Sequence, residues 1–93
     1  MDWSYKGKWK AGKKDGTGEE SFPDKTLYRG GFQNNLKNGG GKFFFENGCY
    51  FKGYFVDDIA DGLECEQKAE DYIYKGPCKN NDFHGAGRVI YLD

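Results

Sequence analysis

From Tyr5 to Lys10 large or small apolar residues alternate with lysines: Tyr5, Gly7 and Trp9 against Lys6, Lys8 and Lys10. Strict period two is the signature of a strand with one face toward solvent. The pattern returns every 23 residues, as Tyr5, Tyr28, Phe51 and Tyr74 show. Gly7, Gly30, Gly53 and Gly76 follow them by two positions, and Trp9, Phe32, Phe55 and Cys78 by four. Later columns hold Gly16, Gly39, Gly62 and Gly85, then Gly18, Gly41, Glu64 and Gly87, then Phe22, Phe45, Lys68 and Tyr91. A fixed period of this length marks a repeat array. The units run 5–27, 28–50, 51–73 and 74–93, with no linker and no second domain.

Within a unit the spacing predicts a hairpin. Asp15-Gly16 closes the segment Gly12 to Gly16 as a turn, and a return strand carries Gly16, Gly18, Glu20 and Phe22 on one face. Pro23 to Thr26 turns the chain into the next unit, where Asn47-Gly48 repeats that role. Two strands per unit predict an all-β antiparallel meander of about eight strands, on the order of 35–40 Å long at strand spacing. A glycine between ring positions leaves room for a neighbouring ring to lie over the backbone. Such ladders suit a chain with seven tyrosines, eight phenylalanines and fifteen glycines but few branched aliphatics.

The combination Tyr5-x-Gly7-x-Trp9, Asp15-Gly16-Thr17-Gly18 and His84-Gly85-Ala86-Gly87, at this period, resembles the MORN (membrane occupation and recognition nexus) repeat. The resemblance spans residues 5–93. It implies an elongated, twisted, single-layer sheet with a groove on its aromatic side. It also implies a scaffolding role that binds partner proteins near membranes or cytoskeleton, with phospholipid binding as the alternative. Units three and four depart from the pattern: Glu64 replaces a glycine, Lys68 and Cys78 replace rings, and Pro77 interrupts a strand. Proline marks an edge or a bulge, so the second half is expected to be less regular.

The net charge of −1 disfavours nucleic-acid binding but is unevenly spread. Unit one is rich in lysine, and unit three carries Asp57, Asp58, Asp61, Glu64, Glu66, Glu70 and Asp71. Lys6, Lys8, Lys10, Lys13 and Lys14 form the candidate contact to anionic phospholipid, each adding about 1 kcal/mol near a charged membrane. The same asymmetry allows self-association, as do open edge strands. Asp57-Asp58-x-x-Asp61 lacks the alternating ligand spacing of a calcium loop. Cys49, Cys65 and Cys78 are widely spaced around a lone His84, so no zinc set and no cofactor is expected. An odd cysteine count reads as three reduced thiols in a cytoplasmic protein. Ser4 and Ser21 lack a nucleophile context, and Gly39-Gly40-Gly41 precedes no phosphate-loop lysine. The reading is therefore a non-enzymatic protein-interaction module. Phe43, Tyr50, Tyr54 and Phe83 fall outside the recurring columns and are the candidate partner contacts. A homodimer through edge strands is part of the same expectation.

Overall fold

The computed structural model describes residues 3–92. The chain forms one open antiparallel sheet in meander order, with principal extents of 44 × 28 × 16 Å. Its strands are β1 (Ser4–Lys10), β2 (Lys13–Ser21), β3 (Leu27–Gln33), β4 (Leu36–Phe44) and β5 (Tyr50–Val56). They continue as β6 (Ile59–Ala60), β7 (Gly62–Lys68), β8 (Tyr72–Lys79), β9 (Asp82–Phe83) and β10 (Arg88–Tyr91). The expected eight rows are present. Ten segments appear because the return rows of units three and four are each broken in two, β6 with β7 and β9 with β10.

The turn inside each unit lies earlier than Asp15-Gly16. Ala11-Gly12, Asn34-Asn35, Asp57-Asp58 and Asn80-Asn81 all have positive φ at both positions, the two-residue turn that matches strand twist. Gly16 instead sits within β2, left-handed at φ 96°. There Lys8 of β1 faces the longer stretch Asp15 to Thr17 of β2, between the Gly7–Gly18 and Trp9–Lys14 pairs. Asp-Gly here marks a bulge, not the hairpin tip.

The second turn residue has a task that the sequence did not reveal. Asn35 donates its backbone N–H to Lys14 O at 3.0 Å and accepts the Lys14 N–H on Oδ1 at 2.9 Å. Asp58 clasps Lys37 in the same way at 2.9 and 2.7 Å, and Asn81 clasps Ala60 at 3.0 and 2.8 Å. Each hairpin tip thus grips the return strand of the unit before it. Asn and Asp combine tolerance of the left-handed region with a side-chain acceptor. Gly12 occupies the same position in unit one and carries no side-chain acceptor.

Rings cover one face. Tyr28 is 0% exposed, lies across the Gly30–Gly41 pair and donates its hydroxyl to Gly31 O at 3.2 Å. A Cβ on Gly30 would stand 2.5 Å from Gly41 Cα, so glycine is required for this approach. Tyr5 repeats the arrangement over Gly7 and Gly18, with its hydroxyl 2.8 Å from Lys8 O. Edge-to-face contacts link the rings into one chain. It runs from Trp9 to Tyr5 (4.9 Å), Phe32 (5.2 Å), Tyr28 (5.3 Å) and Phe55 (5.6 Å), then to Phe51 (6.1 Å), Phe83 (6.1 Å) and Tyr74 (4.4 Å).

Unit three breaks the register. The first two units pair Tyr5 with Glu20 and Tyr28 with Phe43, so Phe51 should face Glu66; it faces Gln67. β7 has slipped by one residue, and a one-residue slip exchanges the two faces of a strand. Cys65, not Glu64, therefore enters the Gly18–Gly41 column, and Ala69, not Lys68, reaches the position of Phe22 and Phe45. The slip occurs where Leu63 and Glu64 oppose the lone Pro77 of β8, which has no N–H to offer the ladder. Burial supplies the reason it persists. In the unslipped register the Glu64 carboxylate would lie among rings, a placement of high desolvation cost. The next turn is one residue shorter, since Ala69 bonds Tyr72 where Phe22 bonds Thr26 and Phe45 bonds Cys49. Bulge and shortened turn cancel, and the 23-residue period survives in the sequence.

The cysteines are not three separate thiols. Cys65 and Cys78 are joined as a disulfide with Cα atoms 5.9 Å apart, and Cys49 remains free.

Candidate functional site

The four candidate partner residues do not converge on one surface. Phe43 belongs to the ring core, 5.0 Å from Tyr28 and 5.9 Å from Phe55. Phe83 is wedged between Tyr74 and Phe51. Both are needed for internal packing. Tyr50 lies on the opposite face, beneath Lys42 Nζ at 3.9 Å, and donates its hydroxyl to Glu66. Tyr54, also on that face, keeps a free ring at 53% exposure.

The lysines divide in the same way. Lys6, Lys8, Lys10 and Lys13 are exposed along β1 and the start of β2. Lys14 turns instead to the ring face. Its ammonium lies 5.0 Å from Trp3, 5.5 Å from Tyr5 and 5.4 Å from Phe32, and 3.0 Å from the Glu20 carboxylate. Trp3 Nε1 donates to the same carboxylate. A buried acid is tolerable only when paired in this way. Glu20 takes the place that Phe43 fills in unit two, so unit one closes its ring face with an ion pair.

One concavity lies away from the rings. A groove of about 580 Å³ crosses units three and four on the other face. Tyr54, Leu63 and Pro77 give it apolar walls, and Lys52, Glu66, Lys75 and Arg88 give it charge. Leu63 is 88% exposed because it lies in the bulge opposite Pro77. A Cβ placed on Gly62 would meet Tyr54 Cβ at 3.3 Å, which puts the bulge against the tyrosine. Glu66 accepts from Tyr50 and lies 3.6 Å from Lys75 Nζ. The Tyr50 hydrogen bond, then the charges of Lys75 and Lys52, hold its carboxyl below the usual range, and the same hydrogen bond raises the Tyr50 phenol. No salt bridge engages Lys52 or Arg88 among the described residues. Leu63 belongs to no recurring column, and its exposure follows from the slip. The visible signal was Pro77, immediately after a glycine that should pair.

Residues 5–27 and 28–50 each match the family model of the MORN repeat. The first two units are MORN repeats. Alsin of Rattus norvegicus and Alsin of Homo sapiens are each 32% identical to the chain over 91 residues, covering 92% of it. The chain spans 6% of the length of these curated relatives. MORN repeats serve protein and membrane interaction. Units three and four keep the hairpin meander of the MORN repeats but replace part of its ring-and-glycine packing with the slipped strand and the cysteine pair. No helix among the described residues is long and apolar enough to cross a membrane.

Proposed function

We propose that the chain is a non-enzymatic interaction module that holds an extended segment of a partner protein in the groove of units three and four. The observation that carries this reading is the pair Leu63 and Tyr54, exposed together beside a groove that also carries charged side chains. Exposed apolar side chains rimmed by charge are the usual form of a contact site. The partner segment that fits carries an apolar side chain for Tyr54, Leu63 and Pro77 and an acidic group for Lys52 and Arg88. MORN repeats one and two supply the rigid support.

The test compares the native chain with Leu63→Asp and Tyr54→Ala in capture from a native extract. Circular dichroism confirms equal folding of all three. A protein retained by the native chain through high salt and lost by both variants supports the reading. Retention unchanged by the variants but abolished by reversing the charge of Lys6, Lys8, Lys10 and Lys13 would move the function to unit one. Salt-sensitive binding of phosphatidylserine vesicles would then identify a lipid contact.

A further inference from the structure

Successive units in the first half close onto one another through ring pairs, Tyr5 with Phe32 and Tyr28 with Phe55. The third junction lacks that pair. Cys78 stands in the column of Trp9, Phe32 and Phe55, and the slip of β7 delivers Cys65 into the column of Gly18 and Gly41. The two side chains are 1% and 3% exposed and covalently joined. A bond between sulfurs thus stands beside Phe51 where the first two junctions set a phenylalanine ring against the preceding tyrosine. Cys65 also lines the groove.

We propose that Cys65 and Cys78 form a reversible thiol–disulfide site that locks unit four onto unit three, so that order around the groove follows the redox state. The inference stands whatever occupies the groove. The reaction partner is a dithiol reductant. One of its thiolates attacks a protein sulfur, the other cysteine leaves as thiolate, and the second reductant thiol resolves the mixed disulfide. Two electrons and two protons pass to the protein, and the reductant becomes a cyclic disulfide. Both sulfurs are buried, so attack requires local opening. On its far side β8 is held by two short segments, through the four pairs of β10 and the two of β9. After reduction the thiols cannot replace a ring in volume, and the cross-link over 13 residues is gone. The remaining ring link to unit four is Phe51 with Phe83.

The experiment is amide hydrogen exchange on the full chain carrying Cys49→Ser, oxidised and then treated with dithiothreitol, with thiol titration confirming each state. Reduction is expected to lower protection in β7 and β8 by about tenfold or more and to leave β3 and β4 within about twofold. Trypsin should then cut after Lys68 and Lys75 faster than in the oxidised chain. Cys65→Gly/Cys78→Phe restores the glycine and the phenylalanine that the first two junctions carry at these columns, so that a ring again meets Phe51, and is expected to keep β7–β8 protection under reductant. Unchanged protection after complete reduction of the Cys49→Ser chain would overturn the lock. So would thiol titration showing that the two cysteines do not couple under a disulfide oxidant.

Discussion

Tyr28 is the residue whose removal should cost the array most. Its ring meets Phe32 at 5.3 Å, Phe43 at 5.0 Å and Phe55 at 5.6 Å, so it ties unit two to unit three and, through Phe32, to unit one. Truncating a buried aromatic to alanine costs about 3–5 kcal/mol, and a ring with these three aromatic neighbours places Tyr28→Ala near the upper end. A chain of this size has stability on the order of 5–14 kcal/mol, so the variant should lose a third or more of it. Tyr28→Phe removes only the hydroxyl bond to Gly31 O and should cost about 1 kcal/mol. The phenol supplies a second, independent readout. Burial pushes its pKa up to about 12, with the nearby Asp58 and Glu20 charges adding to the effect. The folded state therefore holds this proton more tightly than the unfolded state, whose tyrosine titrates near about 10. The contribution is complete below about pH 10 and is lost as pH rises toward about 12, up to about 3 kcal/mol. Tyr28→Phe lacks that group, so its stability difference from the native chain should shrink and reverse across the same window. Urea unfolding followed by far-ultraviolet circular dichroism measures both. A loss under about 1.5 kcal/mol for Tyr28→Ala, or parallel pH profiles for native chain and Tyr28→Phe, would refute the central role of this ring.

Two further outcomes test the backbone logic. Asn35→Gly keeps the left-handed turn but removes the side-chain half of the clasp on Lys14, and should lower stability by about 1 kcal/mol, with Asn35→Ala worse by about 1 more through strain; urea midpoints rank the pair. Gly30→Ala drives a Cβ to 2.5 Å from Gly41 Cα and 2.6 Å from Gly40 O, both backbone atoms that cannot swing away. Its cost should be about 3 kcal/mol, whereas Gly40→Ala, with nothing within 4 Å, should stay within about 0.5 kcal/mol in the same urea series.

The repeat period, the two-fold alternation and the ring and glycine columns determined the hairpin meander by themselves. These signals are local: a strand face is written in neighbouring residues, and a column recurs wherever the same packing is rebuilt. The turn position was misread because Asp15-Gly16 satisfies the left-handed demand of a bulge as well as that of a hairpin tip. Asn35, Asp58 and Asn81 stood in plain alignment, yet their clasp joins residues 21 apart and has no local signature. The fate of the candidate site residues was decided only in three dimensions. Phe43 and Phe83 are drawn inside by rings from other units, Lys14 by Glu20 and Trp3, and Tyr54 is left open. Most hidden was the slip of β7, since an extra bulge residue and a missing turn residue cancel in the sequence spacing. Tertiary packing alone distinguishes the two registers, because only there does one bury Glu64 among rings and the other bring Cys65 to Cys78.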